Sequence, residues 1–158
     1  MNIKTYKLKR VLDLSMIFGG FLFPLLWPLW IVVILIIPFL IWLEDRGPIF
    51  YSQNRIGKNK KIFKVYKFRT MIPDAEKISG AVWSTKNDPR ITKIGHVLRK
   101  TALDEIPQLL NIIRGEMSFV GPRAERPELH DEFVKTIPEF DERLKVIPGL
   151  SGLAQISG

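Results

Sequence analysis

The alternation of apolar and polar positions separates one long unbroken stretch from a series of short periodic ones. From Leu14 to Leu43 thirty consecutive residues carry no charge, with Lys4, Lys7, Lys9 and Arg10 before them and Arg46, Arg55, Lys58, Lys60, Lys61, Lys64, Lys67 and Arg69 after. A straight helix of that length would reach roughly 45 Å, against the ~30 Å of a bilayer's hydrocarbon core. The stretch is therefore expected to enter a membrane, and it far exceeds the about 7–15 apolar residues of a signal peptide. Cations on both flanks place both ends on the cytoplasmic side, which a single crossing cannot satisfy. Pro24, Pro28 and Pro38 interrupt the helical ladder, and a break at Pro24 or Pro28 would let two half-helices enter and leave through one face. A kinked crossing helix is the competing reading, because transmembrane helices tolerate proline. The residues alone weigh the two equally.

Beyond Glu44-Asp45-Arg46-Gly47-Pro48, a turn by composition, the periods shorten. Residues 49–52 read as a strand, 55–61 as a basic loop and 62–69 as a second, alternating strand, together a hairpin with a cationic edge. Its lysines either shield that edge or lie against anionic headgroups. Residues 73–89 read as a connection, and 92–100 as a helix that delivers Arg99 to the next element. There Thr101 is expected to cap a short amphipathic helix with Asp104 at its third position. Ile106, Leu109, Leu110 and Ile113 form its stripe, and Arg114-Gly115 closes it. A strand over 117–120 runs into Gly121-Pro122-Arg123, and 127–145 is expected to be partly helical with a break at Pro138.

Composition narrows the class. The 158 residues make one domain plus an appendage, divided as a membrane-inserted segment 1–47 and a membrane-associated remainder 48–158. Without cysteine there are no disulfides and no thiolate metal sites. His96 and His130 stand far apart with no ligand spacing around them. The formal charge of +8 points to an anionic partner: nucleic acid, phospholipid or a phosphorylated small molecule. No glycine-rich nucleotide fingerprint occurs.

In this basic chain the adjacent carboxylates Asp104 and Glu105, with Arg99 and Lys100 just upstream, are the candidate chemistry. An isolated pair at a helix start would only complement the helix dipole, worth about 0.3–1 kcal/mol. A helix N-terminus beside Arg99 also favours the ionised carboxylate. Gly121-Pro122-Arg123 can present a guanidinium from a rigid turn, suited to bidentate phosphate binding.

In order along the chain stand the basic entry to the apolar segment, Gln53-x-Arg55-x-Gly57, Lys67-Phe68-Arg69-Thr70-Met71 and Asp88-Pro89-Arg90-Ile91-Thr92. Leu103-Asp104-Glu105-Ile106-Pro107-Gln108-Leu109, Gly121-Pro122-Arg123 and Pro148-Gly149-Leu150-Ser151-Gly152-Leu153-Ala154-Gln155 come after them. This set resembles the bacterial sugar transferases, the monotopic polyprenyl-phosphate phosphoglycosyl transferases, over nearly the whole chain. The resemblance implies transfer of a sugar-1-phosphate from a nucleoside diphosphate sugar, usually a UDP-sugar, to a membrane polyprenyl (undecaprenyl) phosphate. UMP is released in the first membrane step of polysaccharide or glycoconjugate assembly. It further implies that Asp104 is the nucleophile forming an acyl-phosphosugar and that Glu105, with Asp104, holds Mg²⁺. Arg99, Arg123, Lys67, Arg69 and Arg55 are then candidates for phosphate and nucleotide-sugar binding.

The implied fold is α+β: a re-entrant, broken membrane helix with its break at Pro28 or Pro24, then a small helix-rich cytosolic catalytic domain with a short hairpin. The implied location is the cytoplasmic face of the bacterial inner membrane, with no nucleic-acid partner. The chain departs from the family pattern in three places. No serine precedes either candidate proline, Ile147 stands where an arginine is common, and relatives are expected to continue well past Gly158. A non-catalytic membrane-anchored basic module binding anionic lipid or nucleic acid, and an inactive truncated transferase, are the alternative readings.

Overall fold

The computed structural model describes residues 3–75 and 88–152, so most of the 73–89 connection and Leu153-Ala154-Gln155 of the last motif lie outside the described residues. In chain order the helices are α1 (Ile3–Leu22), α2 (Trp27–Ile31), α3 (Ile37–Asp45), α4 (Lys93–Thr101), α5 (Leu109–Arg114) and α6 (Pro127–Thr136). The strands are β1 (Phe50–Ile56), β2 (Ile62–Phe68), β3 (Ser118–Val120) and β4 (Gly149–Ser151), in two sheets, β1-β2 and β3-β4. The fold is thus mixed and helix-rich with small sheets. Two compact units interleave along the chain, one of Met1–Phe23, Ser52–Tyr66 and Gln108–Gly158, the other of Pro24–Tyr51 and Lys67–Pro107. By composition the chain divides at 47/48; the compact units divide the apolar stretch itself, at Phe23.

The first unit is built on a core of Ile17, Phe63, Val65, Ile112, Met117 and Ala124. One face of α1 enters that core, while Leu8, Val11, Leu12, Met16, Phe18 and Leu22 remain exposed on the same helix. Polar groups on α1 fasten it. Buried Asp13 accepts the Phe119 N–H at 3.2 Å, Lys9 donates to the Val120 carbonyl, and the Arg10 guanidinium donates to the carbonyls of Ile112 and Ile113. Those carbonyls lie in the last turn of α5, where Ile112 also accepts the Gly115 N–H at 3.0 Å, so Arg10 adds a side-chain cap to the helix end. The cations that read as a membrane flank are partly spent on the fold.

β1 is longer than its sequence reading because the alternation of exposed and half-buried positions continues through Arg55. The basic loop shrinks to a turn closed by Gly57 N–H donating to the Lys61 carbonyl at 2.8 Å. β3 and β4 pair in parallel, Ser118 opposite Gly149 and Val120 opposite Ser151. The strands continue into two glycine turns, with Gly121 N–H donating to Ser151 and Gly149 N–H to Pro122, both at 2.9 Å. A Cβ on Gly149 would sit 2.0 Å from the Gly121 nitrogen, so only glycine permits this approach. The Gly-Pro-Arg and Pro-Gly-Leu-Ser-Gly motifs are therefore one structure. As expected, Pro138 ends the regular helix and begins a 3-10 segment, Pro138–Lys145.

The second unit holds the rest of the apolar stretch, from Pro24 onward. α1 stops at Leu22, a 3-10 turn runs Pro24–Leu26, and α2 comes next with Pro28 in its first turn, where a missing N–H costs nothing. The regular helix therefore breaks at Pro24. Pro38, in the first turn of α3, is preceded by a π-helical segment, Val32–Ile36. Widening the turn there relieves the clash between its ring and a preceding carbonyl. Among the described residues, Pro24–Asp45 is the one helical stretch long and apolar enough to cross a membrane. Val33, Ile37 and Ile41 along it join Phe68 and Leu98 in a second core.

Two carboxylates at the end of this stretch secure it. Glu44 accepts the N–H groups of Lys93 and Ile94 at 2.7 and 3.2 Å, joining the Thr92 hydroxyl in capping α4. Asp45 pairs with Arg69. The chain then reverses at Arg46 in the left-handed conformation (φ 59°), with its guanidinium 4.0 Å above the Trp42 ring.

Candidate active site

The carboxylate pair does not sit at the start of an α-helix. α4 runs to Thr101, whose hydroxyl donates back to the Val97 carbonyl at 2.9 Å instead of capping the next element. Ala102 turns the chain in the left-handed conformation (φ 56°), and Leu103–Gln108 forms a 3-10 segment with Asp104 and Glu105 in its first turn. Pro107 explains the difference. It lacks the N–H that an α-helical turn would use, so the tighter turn persists until α5 begins at Leu109. Because a 3-10 turn takes 3.0 residues and an α turn 3.6, the apolar phase slips across this junction. Ile112 is fully buried in place of the expected Ile113, which is more than a third exposed.

Asp104 is 7% exposed. Burial pushes its carboxyl above the ordinary carboxylate range; the Lys67 charge pulls it back, Glu105 beside it pushes it up again, and Arg99 pulls it back. Arg99 does favour the ionised form, as the sequence suggested, but desolvation outweighs it. Lys67, from the end of β2, donates to Glu105 Oε1 at 2.5 Å, so this lysine is held by the neighbouring carboxylate and acts on Asp104 through space.

Arg99, on the last turn of α4, donates its Nε–H to the Thr70 hydroxyl at 2.9 Å. The residue is exposed, yet partial desolvation lowers its pKa; the charges of Asp104 and Asp88 oppose that shift and Arg90 reinforces it. Asp88 is buried and accepts from the Arg90 backbone N–H at 3.0 Å, from Nε at 2.8 Å and from Nη2 at 2.5 Å.

Arg69, which the resemblance offers as a phosphate-binding candidate, is engaged within the fold. Its terminal nitrogens meet the two oxygens of Asp45 at 2.6 and 2.5 Å, and its donors also reach the carbonyls of Pro48 and Met71. All three guanidinium nitrogens are occupied within the fold. Asp104, Glu105, Arg99, Lys67 and Arg69 belong to the second unit, Arg55 and Arg123 to the first. There Arg55 donates to the Ala124 carbonyl at 3.0 Å, and the Arg123 carbonyl accepts from Arg143. Arg143 lies 3.6 Å from buried Glu125; burial lowers its pKa, with Glu125 opposing.

Among the described residues no group of three or more carboxylate or histidine side chains is gathered around one point. Asp104 and Glu105 supply two hard oxygen donors, which suits Mg²⁺, an ion that keeps several waters and takes one or two carboxylates beside substrate phosphates. Sequence reasoning missed Thr70, Asp88 and Asn111. Asn111 is fully buried and ties the first unit together through the Tyr66 N–H, the Lys64 carbonyl and Glu116. Thr70 and Asp88 lay inside motifs already singled out, Lys67–Met71 and Asp88–Thr92, where the charged neighbours drew the attention.

Known proteins are similar in sequence over most of this chain. A Bacillus subtilis protein provisionally named an undecaprenyl-phosphate N-acetylgalactosaminyl 1-phosphate transferase is 47% identical over 137 residues, 87% of this chain and 73% of its own length. An exopolysaccharide production protein of Rhizobium leguminosarum is 45% identical over 79% of this chain and 64% of its own. A UDP-N-acetylgalactosamine-undecaprenyl-phosphate N-acetylgalactosaminephosphotransferase of Aeromonas hydrophila is 42% identical over 82% and 30%. The chain thus spans less than two thirds of the latter two relatives. The sequence model of the bacterial sugar transferases matches residues 4–158, and with it the chain belongs to the bacterial sugar transferase family.

Proposed function

We propose that this chain transfers a sugar-1-phosphate from a UDP-sugar to undecaprenyl phosphate at the cytoplasmic face of the membrane. The observation that carries the reading is a buried Asp104 under the charges of Lys67 and Arg99, beside Glu105, in a chain whose relatives bear the names of such transferases. The Asp104 carboxylate attacks the sugar-linked phosphorus, the bond to the α-phosphate breaks, and UMP leaves with its electron pair. An oxygen of the polyprenyl phosphate then attacks the same phosphorus, releasing Asp104 and completing the diphosphate. Two displacements through a covalent intermediate replace one attack of anion on anion. Asp104 and Glu105 would hold Mg²⁺, which when bound neutralises phosphoryl oxygens. Arg99 lends a fixed positive charge, and Lys67 keeps Asp104 closer to its ionised form while holding Glu105 in place.

In the same reading the apolar stretch, broken at Pro24, enters the bilayer and returns, so that both basic flanks stay on one side. The chain has no cysteine, so single cysteines placed at Lys7 and at Lys61 report the side of each flank. Labelling of both from the same side of sealed vesicles is expected. Labelling from opposite sides would establish a crossing helix.

The deciding experiment is UMP release from a panel of UDP-sugars with undecaprenyl phosphate and Mg²⁺ in nanodiscs, alongside Asp104→Asn. Release that requires both the lipid and Asp104 supports the reading and names the sugar. Folded protein that binds lipid but releases nothing is the inactive form of the transferase. Strongly salt-dependent nucleic-acid binding, indifferent to Asp104, is the mark of a basic binding module.

A further inference from the structure

We infer that Thr70 is the positioning residue of this site: its hydroxyl holds the Arg99 guanidinium in the orientation from which its charge serves Asp104 and the sugar-linked phosphate. What Arg99 serves rests on the transferase reading; that Thr70 orients it rests on geometry alone.

Thr70 is buried just beyond the end of β2 and is fixed from two sides. Its carbonyl accepts the N–H of Thr92, the residue that caps α4, at 3.1 Å. Gly95, in the first turn of α4, approaches so closely that a Cβ there would lie 2.1 Å from the Thr70 carbonyl oxygen. The backbone of α4 is therefore pressed onto Thr70. Arg99 stands four residues beyond Gly95, on the same helix face, and its Nε–H reaches the Thr70 hydroxyl at 2.9 Å.

A long, flexible side chain needs such an anchor here because two buried carboxylates, Asp104 and Asp88, both act on its charge. Asp88 already receives three hydrogen bonds from Arg90, and a hydroxyl on Nε sets the plane of the Arg99 fork against that competition. The anchor is also neutral. A hydroxyl accepts the Nε–H without cancelling the charge, whereas a carboxylate in the same place would quench it. One residue before Thr70 the chain shows the other solution: Arg69 is met by a carboxylate and is thereby taken out of service.

The test uses the full chain in nanodiscs with ¹⁵N-labelled arginine and compares the parent with Thr70→Val, Thr70→Ala and Thr70→Ser. In the parent, the Arg99 Nε–H, assigned by its loss in Arg99→Lys, is expected to exchange with water more slowly than that of free arginine. Valine and alanine should abolish that protection and lower kcat/KM for the UDP-sugar about 10- to 100-fold, the usual cost of misplacing a group that contacts the reacting atoms. Serine, which keeps the hydroxyl, should hold both within about 3-fold of the parent. A parent Nε–H that exchanges as fast as free arginine overturns the proposal without any variant. So does a folded valine or alanine variant with parental protection and parental kcat/KM. A parent that turns over no substrate tells against the transferase reading, while the Nε–H signal still decides whether Thr70 holds Arg99.

Discussion

Arg69 and Arg99 stand in the same unit and each is associated with an aspartate, yet Arg69 is buried, Arg99 is exposed, and they are used in opposite ways. Arg69 meets Asp45 through paired hydrogen bonds of 2.6 and 2.5 Å and gives its other donors to carbonyls. Arg99 gives its Nε to a hydroxyl and acts on Asp104 by charge. The first arrangement satisfies every guanidinium nitrogen locally, so Arg69 joins the end of the apolar stretch to the loop after β2. The second sets a positive charge where it lowers an Asp104 pKa that burial raises. A buried guanidinium closed on by a carboxylate serves the fold, whereas an exposed one anchored through Nε by a neutral hydroxyl lends its charge to Asp104.

Removing the reactive partner should have the largest effect. Asp104→Asn is expected to lower UMP release by on the order of 10³-fold or more, since a covalent nucleophile has no substitute. The same change should stabilise the fold. The Asp104 pKa is raised in the folded state, so ionisation of this group costs stability as pH rises from the ordinary carboxylate range through that raised value, and the cost is absent at lower pH. In metal-free buffer at pH 7 the variant should therefore melt above the parent, with the gap closing toward acid pH. Equal turnover, or a lower Tm at pH 7, breaks the assignment.

Exchanging the two arginines for methionine sharpens the contrast. Arg69→Met removes the Asp45 pair and the donors to the Pro48 and Met71 carbonyls and is expected to cost about 1–3 kcal/mol in denaturant unfolding, part of it recovered in Asp45→Asn/Arg69→Met. Arg99→Met should cost less stability and reduce turnover by roughly 10²–10³-fold. If the two profiles came out alike, the division into fastener and functional group would fall.

A smaller effect is expected at the neighbouring clasp. Glu44→Ala removes an acceptor for two N–H groups at the start of α4 and should cost about 0.5–2 kcal/mol. Circular dichroism and urea unfolding measure it, and a change below about 0.3 kcal/mol would mean that Thr92 caps the helix unaided.

The smallest effect is a shift in pH dependence. Lys67 is the strongest influence opposing the burial of Asp104, so Lys67→Met should move the acid limb of the pH–rate profile upward from an already elevated position. A limb that stayed in place, or moved down, would show that Lys67 acts only by holding Glu105.

Much of this was legible along the chain. The uncharged stretch, the hairpin, the amphipathic α4, a break at Pro24 or Pro28, another at Pro138 and the carboxylate pair all come from periodicity, charge and proline chemistry, which act within a few residues; which of the first two prolines ends the helix was left to the fold. Less legible was the chain just past Thr101. Thr101 caps nothing, because a hydroxyl inside a helix bonds back to the preceding turn once that turn exists, and α5 begins after Gln108 without a side-chain cap. The stripe through Leu110 and Ile113 slipped by one position at Pro107, because a mixed 3-10 and α segment has no single period.

By itself the sequence determined where the chain is apolar, where it turns, where two carboxylates stand together among cations, and, through its ordered motifs, the family. Tertiary structure alone decided the protonation bias of Asp104, the pairing of Lys67 with Glu105, and which arginines are occupied. It also made Gly121-Pro122-Arg123 and Gly149–Ser151 neighbours across a long intervening stretch of chain. The physical reason is the range of the forces. Backbone preference and hydrophobic period are written locally, whereas desolvation and charge pairing depend on which distant residues share a buried volume, and that is known only once the chain has closed around it.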